Sequence, residues 1–363
     1  MAKRIIIAGG GTGGHIFPAI AIAHALKKKE EHIEILFVGA KGKMEMEKIP
    51  QAGFEIEGLD IVGFDRSSLI KNIGLPFKLI KSFFQVKNIL KKFQPNAVIG
   101  VGGYSSFPVL RYAQAKGIPT FIHESNSFAG KSNRMLGKKA KQIFVAVDGM
   151  ERFFPAEKLL ITGNPVRLSI ADSTIQRTEA IHFFSLDENK KTVLVFGGSL
   201  GAKSINEAMD KNLDKLLSND IQLIWQTGKS YLKKAKERTV GRKDVWVNDF
   251  ITRMEMAYAA ADMVVSRSGA MTVSELAIVK KPVLFVPFPF AAEDHQTENA
   301  KRLVNQNAAM MINDKDVLNK LVDWIIELSK DEAKQMEMKN NIASFAINNA
   351  DEIIAEQVLK NIY

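Results

Sequence analysis

One histidine and one glutamate stand where a side chain could do chemistry on a phosphorylated ligand. His15 closes the run GGGTGGH (9–15), and Glu275 lies in RSGAMTVSEL (267–276). Each run follows an apolar segment that reads as a buried strand and precedes one that reads as a helix. A glycine-rich strand-to-helix turn bares backbone N–H groups at a helix N-terminus, where the dipole favours an anion. A histidine there is biased towards its neutral form, the form a general base needs; the alternative role is a structural cap of the glycine loop. A carboxylate in the first turn of the other helix is poorly suited to a diphosphate and well suited to the two hydroxyls of a ribose. Thr272 and Glu275 also have the T-x-x-E spacing of a capping box, which would make Glu275 purely structural.

Two further glycine turns, GVGGYSSFP (100–108) and GGSLGAKS (197–204), end strand-like runs. Three such turns in one basic protein point to several phosphates. PFPFAAEDHQTENA (287–300) reads as a pocket-shaping loop in which His295, Gln296 and Asn299 could bond sugar hydroxyls. Gly9, Gly11 and Gly14 satisfy GxGxxG, a weak fingerprint of dinucleotide sites. That fingerprint wants an acidic residue at the end of the second strand, and here the run 33–40 ends in Gly39-Ala40-Lys41. A nicotinamide or flavin cofactor is therefore not expected. Nor does any cluster with metal-ligand spacing suggest a bound metal.

Composition narrows the classes. A chain of 363 residues has room for two domains, and 46% hydrophobic with 25% charged residues is ordinary for a globular protein. The absence of cysteine excludes disulfides and thiolate chemistry. No run reaches the roughly 18–20 apolar residues of a membrane span. The start, MAKRIIIAGGGTGGH, does not read as a signal peptide, because glycines interrupt a short apolar run. A formal charge of +10 implies an anionic partner. Between Asp65 and Glu124 there is no acidic residue, and SLIKNIGLPFKLIKSFFQVKNILKKF (68–93) interleaves lysines with aliphatics and phenylalanines. Val86, Ile89, Leu90 and Phe93 read as the core stripe of a helix. Over 69–80, Gly74 and Pro76 are expected to break the helix and leave apolar side chains in excess of one buried stripe. That portion, with Lys71, Ile73, Leu75, Phe77, Lys78 and Lys81, is expected to meet an anionic membrane surface. Nucleic acid is not expected, since no binding module for it is present.

The elements that must position these residues alternate regularly. Strand-like runs fall at 3–9, 33–39, 97–103, 119–125, 141–147 and 159–164, then at 191–199, 221–228, 244–250, 261–269 and 282–288, with helical stretches between. From about 314 the chain reads as helices only. Near-continuous apolar strands separated by helices make parallel sheets covered on both faces. A boundary belongs near 164–190. The expected fold class is α/β: two facing Rossmann-like domains with parallel sheets and a cleft between them, and ligands at the carboxyl ends of the strands.

GGGTGGH (9–15), GVGGYSSFP (100–108), HESNSFAG (123–130), TGNPVR (162–167), GGSLGA (197–202), RSGAMTVSE (267–275) and EDHQTENA (293–300) together resemble glycosyltransferase family 28, in order and in spacing, over nearly the whole chain. Ser125 departs from the pattern, which usually has Gln before Asn126. The resemblance implies a GT-B fold. An acceptor- and membrane-binding domain would comprise 1–164 plus a C-terminal helix at about 342–363, and a domain for UDP-N-acetylglucosamine would comprise 165–341. The implied reaction is an inverting transfer of N-acetylglucosamine to the C4 hydroxyl of muramoyl-pentapeptide on undecaprenyl diphosphate, lipid I becoming lipid II in peptidoglycan synthesis. It implies no cofactor, a peripheral place at the cytoplasmic face of a bacterial inner membrane, and cell-wall synthesis proteins as partners. Carried over residue by residue, UDP-N-acetylglucosamine falls to Thr12, Gly13, Gly14, Asn126, Arg167, Ser199, Ile251 (uracil), Ala270, Met271, Thr272, Val273, Ser274, Glu275 (ribose) and Gln296 (sugar). The acceptor falls to Gly11, Gly102, Gly103, Tyr104, Ser105, His123 and Glu124, with His15 as base. The alternative is an enzyme like the UDP-N-acetylglucosamine 2-epimerases, which share the architecture but have no use for a basic apolar face.

Overall fold

The computed structural model describes residues 3–63, 75–291 and 294–362; Lys71 and Ile73, expected at a membrane, lie outside them. The chain forms two units, one made of Met1–Arg167 with Ile347–Tyr363 and the other of Leu168–Ala346.

Unit 1 is built on seven strands: β1 (Arg4–Ala8), β2 (Glu34–Ala40), β3 (Glu55–Leu59), β4 (Ala97–Gly100), β5 (Thr120–Glu124), β6 (Gln142–Val145) and β7 (Leu159–Ile161). They pair in the order β3-β2-β1-β4-β5-β6-β7, every pairing parallel. Its connections carry α1 (Gly13–Lys29), α2 (Glu45–Gln51), α3 (Leu75–Phe93), α4 (Ser106–Ala115) and α5 (Lys131–Gly137). β1 beyond Arg4 and all of β4 are apolar because both sheet faces are covered, one by α1 and the other by α3, α4 and α5. The edge strand β3, with Glu55 and Glu57 exposed, escapes a search for apolar runs.

Unit 2 repeats the plan. It opens with α6 (Leu168–Ala171) and α7 (Arg177–Phe183). Its strands are β8 (Lys191–Phe196), β9 (Ile221–Gln226), β10 (Val245–Asn248), β11 (Met263–Ser266), β12 (Val283–Phe285) and the two-residue β13 (Met310–Met311). The order is β10-β9-β8-β11-β12-β13, again all parallel. Around them run α8 (Lys203–Lys211), α9 (Leu213–Leu217), α10 (Lys229–Arg238), α11 (Met254–Ala260), α12 (Ala270–Val279), α13 (His295–Val304), α14 (Val317–Lys330) and α15 (Glu332–Ala343). Trp225 on β9 is fully buried, and its indole N–H donates to Asn206 on α8 (3.0 Å).

The last helix, α16 (Ala350–Lys360), belongs to unit 1. It lies on α1, with Ile354, Ala355, Val358 and Leu359 in the same core as Ile16, Ala19, Ile22 and Leu26. Lys28–Glu352 (2.8 Å) and Lys29–Glu356 (3.7 Å) flank the contact.

Of the two residues expected to break the helix before α3, Gly74 lies outside the described residues. Pro76 is the second residue of α3 as described, a first-turn position where a missing N–H costs nothing, and from there the helix is continuous to Phe93. Val86 and Leu90 are buried, as expected of the core stripe.

Both sheets reverse their strand order beside the first strand, so the turns after β1 and β4, and those after β8 and β11, are neighbours at the carboxyl edge. Replacing Ile354, fully buried between α16 and α1, by alanine should cost about 2–4 kcal/mol of unfolding free energy. Urea denaturation checks this, and a loss below about 1 kcal/mol would show that α16 does not seal the α1 face.

Candidate active site

In unit 1 the turns after β1 and β4 pack backbone on backbone. Gly10 N–H donates to Gly102 O (3.2 Å), and a Cβ at Gly103 would lie 2.3 Å from the Gly10 oxygen. Only glycine fits there, and Gly103 holds a φ of +87° that favours it as well. Thr12 is the N-cap of α1, its carbonyl accepting from His15 N–H (3.1 Å) and Ile16 N–H (3.2 Å). Gly13 and Gly14 are the first two helical residues, so their N–H groups have no partner within the helix.

His15 is half-buried in the first turn of α1, over Gly102, where a Cβ would come within 2.7 Å of Nε2. Its Nδ1 lies 3.1 Å from Gly10 O. A carbonyl can only accept, so Nδ1 carries a proton, and in the neutral form of the ring Nε2 holds the lone pair. Tyr104, half-exposed, covers Gly63 and reaches Gly11. Arg167 places its guanidinium 4.8 Å from the centre of the Phe17 ring on α1.

A residue outside the sequence motifs completes this turn. Glu45, the first residue of α2, is 1% exposed. Its Oε2 accepts from Gly11 N–H (2.9 Å) and its Oε1 from Ala40 N–H (3.0 Å). The carboxylate missing from the end of the second strand is thus supplied from five residues further on, turned inward onto backbone. Only the MEMEK segment after the glycine of β2 could have signalled it.

Several residues expected at the acceptor are engaged within unit 1. The Gly11 amide is committed to Glu45 and does not point at a ligand. Ser105 is buried at the start of α4. Glu124 is buried and spends both oxygens on the following loop. Oε1 accepts from the Asn126 amide nitrogens (3.2 and 3.3 Å), and Oε2 from Gly130 N–H (3.1 Å) and Asn133 Nδ2 (2.9 Å). It therefore shapes the loop holding Asn126. His123 is fully buried, with no hydrogen-bond partner for either ring nitrogen among the described residues. Burial pushes its imidazole down to about 4.

In unit 2, α12 begins at Ala270 with Gly269 as N-cap, no side-chain cap and no acid in its first turn. Ala270, Met271, Thr272, Val273 and Ser274 are partly exposed along this N-terminus. The capping box expected of Thr272 and Glu275 does not form, because the helix starts two residues before Thr272. Glu275 falls in the second turn, buried, with Oε2 accepting from the Tyr258 hydroxyl (2.9 Å). Gln296 Oε1 accepts from Phe288 N–H (2.9 Å), and Asn299 donates to Ser268 O (3.1 Å), tying α13 to the turn before α12. Arg267 pins the adjoining loop, donating to Val286 O, Pro287 O and Asp314 Oδ1 (2.6 Å). Ser199 is exposed in the turn after β8. Ile251 has a buried side chain, and its N–H donates to Gln226 Oε1 (2.8 Å). Among the described residues no three His, Cys, Asp or Glu side chains converge as a metal site.

Two Rossmann-like units of parallel strands, with helix N-termini at the switch points, define a GT-B-type fold. The N-terminal domain description of glycosyltransferase family 28 matches residues 5–145, and its C-terminal domain description matches 192–357. The UDP-N-acetylglucosamine--N-acetylmuramyl-(pentapeptide) pyrophosphoryl-undecaprenol N-acetylglucosamine transferase of Phocaeicola vulgatus is 49% identical, over 98% of this chain and 96% of that one. The protein of the same description from Parabacteroides distasonis is 47% identical, over 98% of each. The crystal structure of Acinetobacter baumannii MurG superposes with a TM-score of 0.77 at 28% identity, over 99% of both chains. A UDP-GlcNAc 2-epimerase from Neisseria meningitidis shares the fold at 15% identity and a TM-score of 0.70, over 99% of this chain and 100% of that one. The chain belongs to glycosyltransferase family 28.

The fold keeps His123 neutral, whereas the unfolded chain takes up its proton near the ordinary value of about 6.5. Between those values the unfolded state binds more protons, so stability is full above pH 6.5 and is lost as pH falls towards 4. His123→Leu should flatten thermal stability over pH 6.5–4.5, where the wild type loses at most about 1.4 kcal/mol per pH unit from this group. Equal slopes for both proteins would rule out His123 as the source.

Proposed function

We propose that this chain transfers N-acetylglucosamine, with inversion, from UDP-N-acetylglucosamine to the C4 hydroxyl of undecaprenyl-diphospho-muramoyl-pentapeptide, converting lipid I to lipid II. Near-full-length identity to transferases of that description supports both substrates. The observation that carries the chemistry is His15, with Nδ1 held by Gly10 O and Nε2 left as the basic nitrogen. Nε2 takes the acceptor hydroxyl's proton as its oxygen bonds to C1 of the sugar. The C1–O bond to UDP breaks, and its electron pair leaves on the diphosphate. The N-terminus of α12 suits that charge, since its exposed N–H groups carry the positive end of a dipole with no acid in the first turn to oppose it. Glu275, steadied by Tyr258, is the candidate for the ribose, and Gln296, steadied through Phe288, for the sugar.

The acceptor's lipid calls for a membrane surface, and α3 supports one. Phe77 (76% exposed), Ile80 (56%) and Phe84 (64%) form a stripe at i, i+3 and i+7. Lys78, Lys87 and Lys91 are exposed on the same helix. Leu75 is half-buried and contributes less than expected. Lys81 is paired with Asp60 (2.8 Å), which Lys41 also meets (2.9 Å); the two lysines hold the Asp60 carboxyl down to about 2. No helix among the described residues is long and apolar enough to cross a membrane. The reading is therefore peripheral attachment, at the cytoplasmic face where the nucleotide donor is available.

Labelled UDP-N-acetylglucosamine with a short-chain lipid I analogue tests the reaction. Wild type should form labelled disaccharide lipid, and His15→Ala should lower turnover roughly 10²–10⁴-fold with donor affinity nearly intact. Free N-acetylmannosamine derivatives without transfer would favour the epimerase instead. For the membrane, about 1 kcal/mol per lysine and about 25 cal/mol per Å² of buried apolar surface give separable salt-dependent and salt-independent parts. Lys78, Lys87 and Lys91 changed to Glu should abolish low-salt co-sedimentation with anionic vesicles. Phe77, Ile80 and Phe84 changed to Ser should remove what survives at high salt. Wild type remaining in the supernatant at low salt would sink the idea.

A further inference from the structure

We propose that Glu45 is a positioning residue that acts on His15 through the single peptide group joining Gly10 to Gly11. The inference rests on the reading of His15 as the base. The carbonyl of that peptide, Gly10 O, accepts from His15 Nδ1 (3.1 Å), while its amide, Gly11 N–H, donates to Glu45 Oε2 (2.9 Å). Carboxylate, peptide and imidazole are therefore in series. In other proteins a carboxylate bound directly to Nδ1–H fixes the tautomer and stabilises the imidazolium that forms during catalysis. Here one peptide plane stands between the two groups, and hydrogen bonds in series polarise one another. Negative charge on Glu45 draws the amide proton, enriches the carbonyl oxygen and makes Gly10 O a stronger acceptor for Nδ1–H.

The geometry leaves Glu45 little other freedom. Its second oxygen is fixed by Ala40 N–H at the end of β2 (3.0 Å). A Cβ at Gly10 would lie 2.4 Å from its carboxyl carbon, and one at Gly39 would lie 2.6 Å from its Cγ. Two glycines are thus needed to admit this side chain. The carboxylate also sits by the N-terminus of α1, which has no acid in its own first turn, so it supplies the charge that the dipole favours there. Among the described residues, other titratable or charged groups packed about this turn within unit 1 include His123 from β5, Tyr104 from the turn after β4, and Arg167 against Phe17 of α1. His123 is neutral at working pH, so Glu45 is the negative charge in series with the imidazole.

The test uses the full-length enzyme with saturating lipid I analogue. Glu45→Gln keeps the shape and removes the charge. It should lower kcat about 10-fold or more, leave the KM for UDP-N-acetylglucosamine within twofold, and move the acid limb of the kcat profile to lower pH, because the imidazolium loses its stabilising partner. In a His15→Ala background the same change should cost less than twofold. An unmoved acid limb, or an equal loss in both backgrounds, would make Glu45 a structural clamp and overturn the proposal. His15→Ala alone decides the base reading separately: if it retains more than a tenth of the activity, that reading fails whatever Glu45 does. Should Glu45→Gln fold poorly, wild type labelled with ¹⁵N-histidine, with His15 assigned by difference from His15→Ala, gives a second measure. An Nδ1-protonated ring supports the series, and an Nε2-protonated ring excludes it.

Discussion

The carboxyl edge of a parallel sheet presents backbone groups that the sheet itself cannot satisfy, and in each unit the turns leaving that edge approach more closely than a Cβ would allow. In unit 1 the turns after β1 and β4 share a hydrogen bond at Gly10 and Gly102. In unit 2 the turn after β8 meets the one after β9, where a Cβ at Gly201 would fall 2.0 Å from Thr227 O. In unit 1 this close approach brings His15 over Gly102 at the start of α1.

Electrostatics follow from that geometry. Neither α1 nor α12 carries an acid in its first turn, so neither dipole is offset by its own sequence. The units handle this differently. Unit 1 brings Glu45 from a neighbouring helix to the glycine turn, whereas in unit 2 Glu275 sits a turn deeper, held by Tyr258. An anion arriving at α12 therefore meets an N-terminus less compensated than the one at α1.

The strands were legible because burial on both faces makes each a short, unbroken apolar run. β3 was missed because its edge position lets Glu55 and Glu57 face solvent, and β13 because two residues carry no pattern. At the site, glycine turns and His15 could be read directly, since spacing alone implies them. Glu45 could not: in sequence it is one charge in a charged helix, and only folding shows that it points inward. Glu124 misled in the opposite sense, a carboxylate in a motif loop that proves to be committed to Asn126, Gly130 and Asn133. Thr272 has capping spacing, but Gly269 takes the N-cap position first. Sequence thus locates the turns well and is poor at saying which polar groups within them are already spent.

The return of α16 to unit 1 has a consequence for synthesis. All seven strands of unit 1 leave the ribosome before unit 2 begins, yet the helix that covers α1 is made only after Ala346. For the time taken to translate unit 2, at roughly 5–20 residues per second, the stripe of Ile16, Ala19 and Ile22 waits for its partner. The nascent chain thus passes through a stage in which the half carrying His15 has its sheet but not its seal. The order of translation itself makes unit 1, the first to emerge, the last to be finished.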